Sequence, residues 1–270
     1  MNVAATAVRP VLAEGTGGFE APGPGIFDLP PVFSVGSVGV TKPMLQLLLA
    51  ALLVFGFFYL AARSRSMVPG KLQYAGESAY GFVRNGLGRD IIGSHDYQRF
   101  MPYLAALFFF VLVNNLFATI PFIEFPTFSR AGMAYALAAV SWLVYNAVGI
   151  SKHGLLGYLK LQTVPTGVSK VMYPLLIPLE FFSNIVVRPV TLALRLFANM
   201  FAGHLLLVLF STGGLYLLQH EGVIGAIAGP LAWVMTIAVG FLEVLVQVLQ
   251  AYVFALLNAM YISGALADEH

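Results

Sequence analysis

Two ionisable side chains lie within one apolar stretch of this sequence, residues 190–205, which reads VTLALRLFANMFAGHL. Arg195 and His204 stand nine positions apart in a run long enough to cross a bilayer. An arginine at mid-membrane costs from about 2.5–3.5 kcal/mol on insertion scales to about 10–17 kcal/mol in simulations. We therefore expect a partner charge or a water-filled cavity to offset this cost, which indicates a functional site.

Helical periodicity separates the two side chains. At 100° per residue, Arg195 shares one face with four residues that are polar, charged or small: Arg188, Thr191, Asn199 and Ala202. His204 lies about 180° around the helix from Arg195 and about 13.5 Å further along its axis. The two side chains are therefore not direct partners, and we expect them in different compartments of one pathway.

A second polar stripe follows nearer the C-terminus. Its members lie within about 60° of one helix face: Thr236, Glu243, Gln247, Gln250 and Asn258. Interhelical hydrogen bonds, worth about 0.6 kcal/mol each on average, explain Gln247 better than function does. A buried carboxylate costs more, so Glu243 with His204 predicts a proton relay, because histidine titrates near neutral pH. Metal binding by this pair lacks a third ligand, and we expect no metal and no cofactor.

Composition defines the class of protein to which these residues belong. The 270 residues are 59% hydrophobic and 10% charged, which is more apolar surface than a soluble domain buries. The net charge of +2 does not favour nucleic acid as a partner. The absence of cysteine excludes disulfides and thiolate chemistry. The sequence therefore predicts an integral membrane protein.

Apolar runs and the positions of proline, glycine and charge divide the chain into six parts. They are a mostly irregular, non-cytoplasmic tail (1–42), a first transmembrane helix (43–62), a cytoplasmic interfacial segment with an amphipathic helix (63–100), a transmembrane hairpin with spans at about 101–121 and 132–150 (101–150), a cytoplasmic loop (151–170), and two long tilted helices at about 171–218 and 223–264 (171–270). The prolines at positions 174, 178 and 189 are candidate kink sites in the first long helix. The predicted fold is all-α.

The basic residues predict the orientation in the membrane. Nine Lys and Arg residues fall in the predicted inner loops and three in the outer ones, which places the N-terminus outside and the C-terminus in the cytoplasm. The sequence begins with neither a signal peptide nor a transit peptide pattern, which favours a bacterial plasma membrane over an organelle. Asn115 and Glu124 lie at the outer mouth of the hairpin, where helix packing and an ordinary loop acid explain them as well as function does.

Two motifs carry a resemblance to a known family. The run RPVTLALRLFANMFAGH and, about 45 residues later, LQAYVFALLNAMYIS closely resemble subunit a of the F-type ATP synthases. Arg195 matches the essential arginine of that family, Asn199 its channel asparagine and Gln250 the glutamine of its last helix. The family holds a histidine and an acid, in either order, at the positions of His204 and Glu243.

The resemblance implies a function and a set of partners. It implies a non-catalytic stator subunit that carries H+ to the mid-membrane carboxylates of a rotating ring of proteolipid c subunits, with peripheral-stalk subunit b and the remaining ATP synthase subunits as further partners. Arg195 would separate two half-channels. His204, Asn199, Glu243 and Gln250 would line the outer one, with Asn115 and Glu124 at its mouth, and Thr191 and Asn258 are candidates for the inner one. We assign no role to Glu180.

Two other functions remain open at this point. A secondary transporter would bind an anionic substrate at Arg195, although such proteins usually contain internal repeats and the first half of this sequence does not repeat the 188–204 pattern. A structural membrane anchor would use its charged residues only to hold partner subunits. Loss of pumping with assembly retained in an Arg195→Ala variant would separate the anchor from the channel.

Overall fold

The computed structural model describes residues 19, 21–28, 30–35, 38–63, 68–93, 96–120, 123, 125–164 and 172–267. These ranges contain two short strands, β1 (Phe33–Val35) and β2 (Val38–Val40), and seven α-helices: α1 (Lys42–Arg63), α2 (Lys71–Val83), α3 (Tyr97–Leu116), α4 (Ala131–Thr163), α5 (Tyr173–Phe182), α6 (Arg188–His220) and α7 (Gly222–Leu266). Two π-helical segments follow α2 and α5, at Arg84–Ile92 and Ser183–Val187. Short 3-10 turns form at Pro24–Phe27 and Thr127–Ser129.

Five helical stretches within the described ranges are long and apolar enough to cross a membrane. They are α1, α3, α4, the continuous stretch from α5 through α6, and α7. Inside a bilayer the backbone groups must be satisfied within the protein, which favours helices of this length. The prediction of an all-α integral membrane protein is confirmed.

The N-terminal tail is more ordered than we predicted. β1 and β2 pair in antiparallel register, and the amide of Val32 also donates to the carbonyl of Val40 over 2.8 Å. β-branched valines at positions 35, 38 and 40 favour this extended pairing. The predicted tail thus contains two short strands that the sequence did not predict, whereas residues 1–18 lie outside the described ranges.

The predicted interfacial segment folds as two kinds of helix. The α-helix α2 ends at Val83, and a nine-residue π-helix continues to Ile92. Gly93 then adopts φ 97°, a left-handed conformation that favours glycine and ends the helix. The sequence predicted an amphipathic helix here, but it did not predict the change to a π-helix.

The helix α4 extends beyond its predicted span. It bends at Gly154, where φ is 71°, and continues to Thr163, so the expectation of a loop from residue 151 is wrong for its first thirteen residues. After the bend, Tyr158 folds back on Gly149, where an added Cβ would lie 2.1 Å from the tyrosine ring. The absence of a side chain at Gly149 therefore allows this second part of α4 to return against the first.

A proline and a π-helical segment shape the join between α5 and α6. Pro189 has no N–H to donate to the carbonyl of Ile185, four residues earlier. The indole Nε1 of Trp142 on α4 donates to that carbonyl instead, over 3.1 Å. The amide of Arg188 bonds to Ser183, five residues earlier, as in a π-helix. The predicted irregularity near Pro189 is therefore a π-helical segment fixed by α4.

The helices α6 and α7 form a close hairpin that holds the core together. Gly222, with φ 53°, makes the turn between them. A Cβ on Gly225 would lie 1.9 Å from the carbonyl oxygen of Leu217, so only glycine permits this approach. Further along, buried side chains of α3, α6 and α7 pack as one cluster that includes Leu104, Val111, Leu192, Leu196, Met200 and Phe254.

Contacts between the helix ends agree with a chain that crosses back and forth. At one end, Lys42 Nζ donates to the Ile123 carbonyl over 2.6 Å, and Arg130 pairs with Asp28 at 3.4 Å. At the other end, Lys152 donates to the carbonyl of Leu266, near the C-terminus of α7, where the helix dipole favours a cation. The end that faces the cytoplasm stays a prediction from the basic residues.

Candidate functional site

Arg195 lies on the outer surface of α6. Its side chain is exposed, as are those of Thr191 and Ala198 on the same side of the helix, whereas Leu192 and Leu196 are fully buried against α7. Within the described residues, no hydrogen bond or ion pair joins Arg195 to another side chain. The α6 helix therefore presents an exposed cation on its outer surface, within electrostatic range of Tyr261 on α7.

Asn199 and Gln250 meet between α6 and α7. Asn199 Nδ2 donates to Gln250 Oε1 over 2.7 Å, and Gln250 is buried. The sequence placed Asn199 one helical turn after Arg195, so this bond links the arginine-bearing face to the polar stripe of α7. The amide nitrogen Nε2 of Gln250 is buried and has no partner within the described residues.

Glu243 lies against α6 at the position just before His204. An added Cβ on Gly203 would be 3.5 Å from the carboxylate oxygen Oε1 of Glu243. Glu243 is only 5% exposed, and its Oε1 has no hydrogen-bond partner in the described part of the protein. No hydrogen bond joins Glu243 and His204 among the described residues. The two groups therefore share one region of the helix pair without direct contact.

Hydrogen bonds from α3 and from the turn after it reach the polar stripe of α7. Asn115 Nδ2 donates to the backbone carbonyl of Gln247 over 3.1 Å, and Thr119 Oγ1 donates to the Gln247 side-chain oxygen over 2.9 Å. Both bonds fix Gln247 as a packing residue, which agrees with our interpretation. Thr119 was absent from the sequence prediction because it lies in the turn after α3, where no periodicity marks it.

His204 is partly buried on the side of α6 that the N-terminal tail covers. The ring of Phe27 lies 5.8 Å from the imidazole, measured between ring centroids. The imidazole Nδ1 is buried without a hydrogen-bond partner in the described part of the chain. His204 and Arg195 therefore have different surroundings, as the helical periodicity predicted.

The remaining predicted residues lie elsewhere. The Thr191 hydroxyl donates to the carbonyls of Val187 and Arg188 on its own helix. Asn258 is fully buried and accepts a hydrogen bond from the Tyr103 hydroxyl over 3.1 Å. Glu124 lies outside the described residues. The structure therefore brings Asn199, Gln250, Glu243 and His204 to the α6–α7 pair and puts Asn258 in a separate contact with α3.

Comparison with known proteins decides the family. The pattern that defines the family described as "ATP synthase A chain" matches residues 44–263. A protein named "ATP synthase subunit a" from Nocardioides sp. (strain ATCC BAA-499 / JS614) is 64% identical over the full length of both chains. Another protein of that name, from Pseudarthrobacter chlorophenolicus, is 49% identical and covers 96% of this chain and 97% of its own. The chain belongs to the ATP synthase A chain family.

Membership in the ATP synthase A chain family confirms the resemblance drawn from the two motifs. The chain is accordingly part of an ATP synthase, in the membrane-embedded, proton-transporting sector. The five apolar helices within its described ranges agree with a bacterial membrane location. The specific roles of Arg195 and its neighbours remain predictions.

A second polar cluster lies on the α5 side of Arg195, and it contains the acid that we left unassigned. Asn184 Nδ2 donates to Glu180 Oε2 over 3.2 Å and to the Gln162 carbonyl over 2.6 Å. The guanidinium of Arg188 lies 5.4 Å from the ring centroid of Tyr261 and reaches the side-chain oxygen of Gln162. An acid within an apolar helix was the signal available in the sequence.

Proposed function

We propose that this chain conducts protons through two aqueous half-channels that meet a ring of c subunits, with Arg195 between them. Proton flow through the half-channels turns the ring, and this rotation is coupled to ATP synthesis on other subunits. One proton crossing 100 mV delivers about 2.3 kcal/mol, so several crossings must accumulate for each ATP. The chain itself is non-catalytic and needs no cofactor in this account.

One observation carries the proposal for the outer half-channel. Five buried polar atoms around the α6–α7 pair lack a protein partner within the described residues: His204 Nδ1, Glu243 Oε1, Gln247 Nε2, Gln250 Nε2 and Asn115 Oδ1. Buried polar groups nearly always bond to protein or to water, and an unpaired group costs about 1–3 kcal/mol. Several such atoms in an otherwise apolar region favour a hydrated path, along which histidine and carboxylate groups relay protons.

The path has a direction along α6. Glu243 lies against Gly203, next to His204, and the Asn199–Gln250 pair lies between this level of α6 and the face that carries Arg195. Asn115 supports the path from α3, and we retain Glu124 as a mouth residue on the sequence alone. Polar side chains spaced along one helix pair are suited to hold a chain of waters.

Arg195 acts as the barrier between the half-channels. Arginine stays charged at all relevant pH values, whereas a desolvated lysine can lose its proton. An exposed guanidinium attracts the ionised carboxylate of a passing ring subunit, which must release its proton before it reaches the arginine. The cation also repels protons, so it prevents a continuous proton wire between the two sides.

The inner half-channel has two sets of candidates. Thr191 is exposed beside Arg195, and Asn258 is buried near Tyr103. The cluster of Glu180 and Asn184 adds an acid that is hydrogen bonded and only partly exposed, on the stretch that precedes Arg195. We favour this cluster as the exit path because it places a carboxylate and a carboxamide together on the helical stretch that leads to Arg195.

The proposed setting follows from family membership and charge. The partners are the c ring, peripheral-stalk subunit b, the other ATP synthase subunits and the lipid bilayer, and nucleic acid is not a partner. The N-terminus lies outside and the C-terminus in the cytoplasm of a bacterial plasma membrane.

The test is proton pumping driven by ATP in inverted membrane vesicles that contain the whole complex. Arg195→Ala should abolish pumping while the complex stays assembled, because the barrier and the carboxylate partner are lost. Arg89→Ala is the matched control, since Arg89 is an exposed arginine on the π-helix after α2. Unchanged pumping in Arg195→Ala would overturn the proposal.

The same vesicles also test the proton relay of the outer half-channel. Glu243→Gln keeps the shape of the side chain but removes its titration, and His204→Ala removes the imidazole. Each should reduce pumping by at least tenfold, a lower bound set below the factors of about 10²–10⁴ that positioned proton-transfer groups contribute in enzymes. Wild-type rates in both variants would refute the relay and leave the role of Arg195 standing.

A further inference from the structure

The N-terminal tail makes an unexpected contact with the centre of α6. The side chain of Phe27, at the end of the 3-10 turn Pro24–Phe27, is only 4% exposed. Its ring lies 4.9 Å from the ring of Phe201, 6.2 Å from that of Phe125 and 5.8 Å from the imidazole of His204, measured between centroids. A residue of the tail is therefore inserted between α6 and the loop that precedes α4.

Contacts on either side of Phe27 hold the tail along α6. Phe19 packs on Tyr216, with 5.4 Å between ring centroids, and Asp28 pairs with Arg130 at 3.4 Å. Tyr216 lies twelve residues after His204, or about 18 Å further along the helix axis. The tail therefore follows α6 from near its C-terminal end to the level of His204.

We propose that Phe27 is a positioning residue for His204 and that the turn Pro24–Phe27 covers the outer path on the His204 side of α6. The importance of His204 rests on the proposed function, whereas the cover itself does not. A phenyl ring packs against an imidazole and restricts its orientation, but it competes for neither ring nitrogen. The unpartnered Nδ1 of His204 is thus left to the polar groups of the path.

The cover also confines water. Within the described residues, the ring contacts of Phe27 other than that with His204 are with the phenyl rings of Phe201 and Phe125, which offer a water molecule no hydrogen bond. Protons then reach His204 from the side of Glu243, whose carboxylate lies against the neighbouring Gly203. Removing the phenyl ring opens a second route for water and lets the imidazole rotate.

Cysteine accessibility tests the cover without proton transport. The chain contains no cysteine, so His204→Cys gives one thiol for a water-soluble, membrane-impermeant maleimide in vesicles of both orientations that hold the whole complex. Adding Phe27→Ala should raise the labelling rate about tenfold, the factor expected for the loss of an aromatic contact. Phe27→Leu keeps most of the apolar volume and should stay within about threefold of the parent.

A second tail variant and a functional readout complete the design. Phe33→Ala is the matched control, because Phe33 lies in β1 and is 49% exposed. Equal labelling of the Phe27→Ala and Phe33→Ala backgrounds would overturn the cover. With His204 intact, Phe27→Ala should lower ATP-driven pumping severalfold at normal assembly and Phe27→Leu should restore it. Faster labelling with unchanged pumping would overturn the positioning role.

Different results would refute the proposed channel and the proposed cover. If Arg195→Ala pumps normally while Phe27→Ala still exposes residue 204 to the maleimide, the proposed channel is wrong and the cover stands. If Arg195→Ala abolishes pumping and Phe27→Ala changes neither labelling nor pumping, the channel stands and the cover is wrong.

Discussion

The hydrogen bond from Trp142 to the backbone before α6 allows a quantitative test of how α4 supports the site. Pro189 leaves the Ile185 carbonyl without its usual helical donor, and the Trp142 indole supplies a donor 3.1 Å away. Trp142→Phe keeps an aromatic ring but removes the N–H. The carbonyl then loses its donor at the point where the π-helical segment begins the helix that carries Arg195.

The expected cost follows from the geometry. An unsatisfied buried polar group costs about 1–3 kcal/mol, whereas interhelical bonds in membranes average about 0.6 kcal/mol. We expect a loss of about 1–2 kcal/mol in the local opening free energy of residues 183–188. Hydrogen exchange of these amides should therefore be about five- to thirtyfold faster in the variant, measured by mass spectrometry on the assembled complex.

The chain offers a matched control for this prediction. The indole of Trp233 donates to the Ser211 carbonyl over 3.4 Å at an exposed position, and that carbonyl lies within the regular part of α6, where it keeps its helical partner. Trp233→Phe should leave exchange near Ser211 unchanged. Equal exchange rates in Trp142→Phe and in the parent would refute the idea that α4 fixes the π-helical segment.

Two further predictions concern the α6–α7 hairpin. Gly225→Ala places a Cβ 1.9 Å from the Leu217 carbonyl oxygen, so it should destabilise the hairpin by about 1–3 kcal/mol or more. This loss should be seen as a lower amount of the protein in membranes. Gly264→Ala is the control and should not lower that amount, because open space surrounds Gly264. Asn199→Ala and Gln250→Ala should each slow ATP-driven pumping, because each removes the same 2.7 Å hydrogen bond. The double variant should therefore pump little more slowly than the slower single variant. A pumping rate reduced by the product of the two single effects would contradict a shared role.

The apolar runs and their charges predicted most of the fold. Each predicted span overlaps a helix, because about twenty apolar residues in lipid leave few alternatives to a helix. The turn near residues 219–222 also appears, at Gly222. Four of the five members of the polar stripe of α7 are buried, namely Glu243, Gln247, Gln250 and Asn258. Thr236 is only partly buried and donates to the Ala232 carbonyl of its own helix.

The departures have local physical causes that periodicity does not encode. The bend at Gly154 depends on a left-handed backbone conformation together with a space at Gly149 for Tyr158. The π-helical segment at Ser183–Val187 depends on a donor from α4, which is distant in sequence. Such features depend on tertiary contacts rather than on the residues at the site.

Only part of the candidate site could be predicted from the sequence, because some of its residues are recognised only through tertiary contacts. An isolated charge in an apolar helix stands out in a sequence, so Arg195, His204 and Glu243 could be predicted as site residues from the sequence alone. Phe27 and Thr119 did not stand out, because an aromatic residue in a tail and a threonine in a turn are ordinary there. Their contacts with His204 and Gln247 become visible only when distant segments are brought together.

The central claim is that the exposed face around Arg195 meets the carboxylate of another, moving subunit. Ala198 is exposed on that face, and Leu196 is fully buried, so Ala198→Cys and Leu196→Cys form a matched pair in a chain without native cysteines. The measurement is disulfide cross-linking to a cysteine beside the mid-membrane acid of the c subunit. We expect a cross-link from position 198 and none from 196; no cross-link from 198 in an assembled, pumping complex would contradict the account.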